Sequence, residues 1–150
     1  MPQSLSEIIV QIVFSTKDRH PYLHDKPLGD MHKYLATVVR NSGCECYRVG
    51  GVADHVHIAV RLSRTITVAS LIEGIKSPSS KWIKTQGSEF RDFAWQSGYG
   101  AFSVGYDGLD SLISYIDNQE EHHRTKTFQE EYLELLKRYG VKYDLRYLWE

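Results

Sequence analysis

Asp54-His55-Val56-His57-Ile58-Ala59-Val60 is an apolar alternation that carries two histidines two positions apart. Successive side chains of a strand point to opposite faces, so both imidazoles leave one side while Val56, Ile58, Val60 and Leu62 take the other. Such a strand seats a core on one face and a candidate cation site on the other. Ile8 to Ser15, nearly all apolar and rich in β-branched residues, reads as a central strand buried on both faces. Cys44 to Val49 reads as a strand joined to His55–Leu62 through Gly50-Gly51-Val52-Ala53, a hairpin with the histidine pair on its second strand. Phe93 to Val104 alternates with aromatics, and Gly98 and Gly100 within it predict a strand with a bulge or with another chain passing close.

Between these strands the spacing turns helical. Met31, Leu35, Val38 and Val39 predict a helix over 28–41, stopped at Gly43. Thr65 or Thr67 caps a second, with stripe Val68, Leu71, Ile72 and Ile75, which Ser77-Pro78 is expected to break before Ser79 or Ser80 restarts it. Asp107 or Asp110 opens a third, running from Leu109 to His123, and Phe128 to Tyr139 predicts a last one. The order β-α-β-β-α-β-α-α predicts an α+β fold: a ferredoxin-like antiparallel sheet of about four strands with helices packed on it. One domain over residues 1–150 is expected from the length.

Composition narrows the function classes. Hydrophobic content of 41% and charged content of 25% suit a folded soluble chain rather than a disordered one. No basic-then-apolar leader follows Met1, and no apolar run approaches the ~18 residues that would span a bilayer, so a cytoplasmic protein without a membrane partner is expected. Cys44 and Cys46 share one side of a strand, a poor spacing for a disulfide, and read as reduced packing residues. The net charge of −1 argues against simple electrostatic capture of nucleic acid. Its distribution is uneven: residues 40–91 hold eight Lys or Arg against four acids, whereas residues 107–134 hold eight acids against two bases. The histidine strand lies in the basic part, where a phosphate-bearing partner is reasonable.

A pair of imidazoles needs a third ligand, and the Leu109–His123 helix offers one. Tyr115 and Gln119 stand at i and i+4, His122 continues their stripe and His123 follows; either histidine could assist. Two imidazoles with a neutral oxygen donor leave coordination positions open, unlike a closed structural zinc site. Nitrogen and oxygen donors together do not fix the ion among Mg²⁺, Mn²⁺ and Zn²⁺. Bound to the oxygens of a phosphodiester, a cation would offset developing charge. Tyr115 is then the candidate nucleophile, forming a phosphotyrosine that stores the bond energy for rejoining. A histidine triad of nucleotide hydrolases would require histidine where Ala59 stands. Glu120, Glu121, Glu130 and Glu131 read as solvated helix faces and receive no role.

Four blocks extend this pattern: Phe14-Ser15-Thr16-Lys17, Gly51-Val52-Ala53-Asp54-His55-Val56-His57, Trp95-Gln96-Ser97-Gly98-Tyr99-Gly100, and Tyr115-Ile116-Asp117-Asn118-Gln119 followed by His122-His123. In this order they resemble the single-tyrosine HUH transposases of small insertion sequences, including domesticated relatives associated with repeated palindromes, over nearly the whole chain. The resemblance implies an HUH endonuclease fold and a DNA transposase acting on single-stranded DNA. Tyr115 would form a 5′-phosphotyrosine beside a DNA hairpin and leave a free 3′-hydroxyl. His55, His57 and Gln119 would hold a divalent metal, Mg²⁺ or Mn²⁺. It also implies a homodimer in which one subunit's tyrosine helix can complete the other's site.

Arg48, Arg61, Lys76, Lys81 and Lys84 are the expected phosphate contacts. Two other readings stand beside this one. A structure-specific DNA-hairpin binding protein without strand transfer would bind a hairpin and leave it uncut. A metal-dependent hydrolase of small phosphate esters finds no obvious general base in the sequence.

Overall fold

The computed structural model describes residues 2–150. Its centre is β1 (Ile9–Ser15), buried at every position because both long edges and both faces are covered. β3 (His55–Arg61) lies antiparallel along one edge, with Val13 opposite His57 and Ile12 opposite Ile58. β4 (Gly100–Val104) pairs antiparallel with the other edge, and β2 (Glu45–Val52) pairs antiparallel with β3. The sheet order β2-β3-β1-β4 and two covering helices make the expected ferredoxin-like α+β fold.

One face is apolar throughout. Val10, Ile12 and Phe14 of β1 and Val56, Ile58 and Val60 of β3 pack against two helices. Met31, Leu35 and Val39 come from α1 (Asp25–Asn41), and Leu71, Ile72, Ile75 and Ile83 from α2 (Val68–Ile83). Each such side chain contributes roughly 1.5–3 kcal/mol by leaving water. Cys44 and Cys46 lie in this core as free thiols.

The opposite face is covered by α3 (Leu109–Asp117), the single turn α4 (Gln119–His122) and α5 (Phe128–Arg138). Leu112 and Ile116 press on Ala59, while Phe128, Tyr132, Leu135 and Leu136 gather round Val13 and Phe102. This packing needs bare backbone. A Cβ on Gly50 would stand 2.5 Å from Ile116 Cγ2, and one on Gly100 2.8 Å from the Tyr132 ring.

Several local expectations change in three dimensions. β2 runs on through both glycines to Val52, and Ala53-Asp54 alone makes the turn. Gly51 permits this with φ at +141°, where a Cβ would meet the His55 carbonyl at 2.2 Å. Thr67 is the cap of α2, its hydroxyl accepting from Ser70 N–H at 3.1 Å. That helix is not broken at Pro78, because Ile75, Ser79 and Ile83 are buried on both sides of the proline and hold the axis. Residues 93–99 form no regular strand: Trp95 makes one bridge to Thr16, and β4 begins at Gly100. What passes close to Gly98 is this chain's own tail rather than another chain: the Glu150 carbonyl accepts from Gly98 N–H at 2.9 Å.

The helix expected over 109–123 divides at Asn118, whose φ of −97° and ψ of 18° end α3 and start α4. Among the described residues no helix is long and apolar enough to cross a membrane.

Candidate functional site

Alternation along β3 puts His55 and His57 beneath α3–α5, both with no exposed surface. Each imidazole is oriented by its Nδ1. That of His55 donates to Asp54 Oδ1 at 2.7 Å, which turns Nε2 inward, and that of His57 meets the Gln11 amide nitrogen at 3.0 Å. Holding the second ring nitrogen in this way is what orients histidine ligands in metal sites. A half-turn of the Gln11 amide would offer its oxygen to Nδ1–H and leave His57 Nε2 a free lone pair.

The break at Asn118 swings Gln119 inward, 1% exposed, with its Oε1 2.8 Å from His55 Nε2. The structure thus brings Gln119 together with the two histidines of β3. His123, not His122, joins it: His123 Nε2 lies 3.1 Å from Gln119 Oε1, whereas His122 is exposed and only flanks the Tyr115 ring, at 4.9 Å between centroids. Tyr115 is half-buried, with its ring 5.6 Å from that of His57.

Glu131 of α5 is the residue that sequence reasoning assigned to solvent and the fold places at the centre. It is 3% exposed. Its Oε1 lies 3.1 Å from His57 Nε2, 3.3 Å from His55 Nε2 and 3.0 Å from His123 Nε2. Its Oε2 accepts from the Gln119 amide at 2.9 Å and from the Tyr115 hydroxyl. The sequence did hold a signal. Thr127-Phe128-Gln129-Glu130 is a capping box that fixes the start of α5. From that start Phe128, Glu131, Tyr132 and Leu135 fall on one buried stripe, so Glu131 is an acid on an otherwise apolar face.

The electrostatics follow from burial and this carboxylate. Burial opposes charge on His55, but hydrogen bonds to Asp54 and Glu131 prevail and raise it to about 9. Burial dominates at His57 and lowers it from 6.5. Burial also works against the Glu131 anion, yet bonds from His123, His55 and His57 hold its carboxyl far below the ordinary carboxylate range. Burial, then the bond to Glu131, keeps the Tyr115 phenol above its ordinary 10.0.

His55, His57 and Glu131 each offer a ligand atom, all within 4.8 Å of one another. With Gln119 Oε1 beside them, these nitrogen and oxygen donors fit a divalent cation. A cleft of about 380 Å³ opens beside Tyr115, lined by Gln11, Ser111, Arg138 and Tyr139. Another of about 470 Å³ reaches the cluster from the side of Asp54, His123, Arg124 and Lys126.

The expected phosphate contacts are scattered. Arg48 lies 3.4 Å from Asp117, and Arg61 pairs with Glu45 at 3.1 Å. Lys76 is folded inward, donating to the carbonyls of Gln96, Ser97 and Gly98 at 2.7–3.3 Å, and burial lowers it to about 8. Lys81 on α2 and Lys84 just past its end are exposed, and α2 covers the sheet face opposite the histidines.

No curated protein sequence matches the chain. Two of the solved structures that share its fold illustrate the likeness. One is a proposed transposase from Deinococcus radiodurans R1, with TM-score 0.62 and 17% identity, covering 79% of this chain and 98% of that one. The other is a REP-associated tyrosine transposase bound to a REP hairpin, with TM-score 0.58 and 14% identity, covering 82% and 72%. The family model described as transposase IS200-like matches residues 4–119, a span that takes in His55, His57, Tyr115 and Gln119 and stops short of α5. The chain therefore belongs to the IS200-like transposase family.

Proposed function

We propose that the protein is a transposase of single-stranded DNA that cuts beside a DNA hairpin through a 5′-phosphotyrosine and rejoins the strand. The observation that carries this reading is the position of Tyr115: within one chain, a single carboxylate links its hydroxyl to His55 and His57. The phenolic oxygen attacks the phosphorus, the 3′-oxygen of the preceding nucleotide leaves with a proton, and a covalent protein–DNA species results. A 3′-hydroxyl from a second strand reverses the step and returns the proton to Tyr115, so no nucleotide triphosphate is consumed. His55, His57 and Gln119 would hold Mg²⁺ or Mn²⁺, which when bound would supply neutralisation of the charge that develops on the phosphate. The whole of residues 1–150 serves as one catalytic domain, working in the cytoplasm.

DNA reaches Tyr115 through the cleft bordered by Arg138, and the exposed Lys81 and Lys84 are phosphate contacts for a more distant part of the substrate. Arg48 and Arg61 contribute once released from Asp117 and Glu45, while Lys76 orders the 96–98 loop. A labelled hairpin with a single-stranded flank, incubated with Mn²⁺ and run under denaturing conditions, tests the reading. A shifted covalent species is expected from the wild type, and Tyr115→Phe should keep hairpin binding and lose it. An adduct that survives in Tyr115→Phe moves the nucleophile elsewhere; binding without any cleavage favours hairpin recognition alone.

We infer a homodimer whose sites are each built from one chain, since the Tyr115 hydroxyl already meets its own chain's cluster. Mixing Tyr115→Phe with His57→Ala protein separates the arrangements. Recovery of adduct in the mixture would show that the tyrosine helix crosses between subunits.

A further inference from the structure

We propose that Glu131 is the anionic ligand of the metal centre and the residue that aims Tyr115: its Oε1 completes the donor set of His55, His57 and Gln119, and its Oε2 holds the phenol. This deepens the proposed function and rests on it. Three imidazole Nε2 atoms converge within 3.0–3.3 Å of that one oxygen, a geometry in which their shared attraction is for a single point. Without Glu131 the site would have to hold a dication in a buried pocket with two neutral imidazoles and an amide. Burying charge without a counter-charge is costly, and one carboxylate oxygen in the donor set removes much of that penalty. The same carboxylate then has one oxygen left, and the Tyr115 hydroxyl and the Gln119 amide bind it. A metal ligand and the nucleophile thus share one rigid group, which fixes the hydroxyl relative to the phosphorus.

The position of Glu131 is built in. Thr127 and Glu130 cap each other at the start of α5, and Phe128, Tyr132, Leu135 and Leu136 bury the helix against the sheet. The matched family span ends at residue 119, twelve positions before Glu131, so the role belongs to the chain's own C-terminal helix.

The rival role is purely structural: Glu131 pairs with the histidines as their counter-ion and must be displaced before a cation enters. Calorimetric titration with Mn²⁺ separates the two. If Glu131 is a ligand, Glu131→Gln weakens Mn²⁺ binding about tenfold or more, while Glu134→Gln on the exposed side of α5 leaves it unchanged. If it is only a counter-ion, Glu131→Gln binds Mn²⁺ as tightly as the wild type or more tightly, and the proposal fails. Circular dichroism establishes that the variant is folded. Should Glu131→Gln not fold, Glu131→Asp keeps the charge but draws it back by one methylene, and affinity equal to wild type in that variant overturns the proposal.

A second readout isolates the aiming role. At saturating Mn²⁺, Glu131→Gln should form the DNA adduct more slowly by tenfold or more, and Tyr115→Phe should bind Mn²⁺ as the wild type does. Undiminished adduct formation in Glu131→Gln overturns the aiming role and leaves the transposase reading intact. Wild-type protein that binds Mn²⁺ but yields no adduct defeats the transposase reading and leaves the ligand assignment standing on the titration.

Discussion

His57 and Ile58 are neighbours on β3, both fully buried, and they belong to different chemistries. Ile58 faces α1 and α2 among aliphatic and aromatic side chains that meet only by shape. His57 faces α3 to α5, where Gln11 and Glu131 take both of its ring nitrogens. The apolar face gains free energy by excluding water and tolerates any group of suitable volume. The histidine face must satisfy every polar atom it buries, so it fixes orientation as well as volume. The strand that secures the fold thereby delivers a preorganised cluster on its reverse side.

Exchanging damage between the faces breaks the comparison most directly. Ile58→Ala should cost about 2–5 kcal/mol in urea unfolding, the usual effect of a cavity in a close-packed core. Mn²⁺ affinity of the folded fraction should stay within a few-fold of wild type. His57→Ala should do the reverse, with metal affinity falling at least about 100-fold, beyond the usual effect of losing an outer hydrogen-bond partner. Equal losses in both measurements from both variants would mean that the faces are not separable.

Gly50→Ala tests the seam between β2 and α3. Its new Cβ would stand 2.8 Å from the Ile116 carbonyl as well as against its side chain, so α3 must shift. A cost of about 1–3 kcal/mol is expected. Adduct formation should suffer more than stability does, because Tyr115 precedes Ile116 on that helix.

Acid and base should act on different faces. On α1, burial and the nearby His55 charge lower His32 from 6.5 to about 4, and its Nε2 has no partner among the described residues. The unfolded chain therefore binds the proton first, and stability is lost as pH falls from 6.5 towards 4, by roughly 1–2 kcal/mol after allowing for partial exposure. His32→Gln should flatten that arm of the urea midpoint against pH. His55, raised to about 9, works oppositely in the metal-free protein. Its contribution is complete below 6.5 and disappears as pH rises through about 9. The smallest effect belongs to Thr127→Ala, which removes the cap of α5 at about 1 kcal/mol and should loosen Glu131 with it, seen as a modest loss of Mn²⁺ affinity.

Much of this was legible without coordinates. The period of two over 54–60 set both faces of β3, and the i, i+4 spacing put Gln119 beside Tyr115. Where local signals failed, a distant contact had overruled them. Pro78 stops a helix in isolation, but buried neighbours on each side carry α2 through it. Between His122 and His123 the spacing left the choice open; His122 stays against the Tyr115 ring, and Glu131 of the docked α5 meets His123.

The sequence by itself determined which residue types alternate along β3, and hence that two imidazoles share one side of a sheet. Only the tertiary structure decided what lies above them. Glu131 looks like half of a solvated acidic pair because side-chain chemistry within a helix says nothing about which surface that helix will cover. Once α5 docks, Glu130 turns to the cap and Glu131 to the histidines, and three buried nitrogens with a phenol supply the partners that a carboxylate needs when it leaves water.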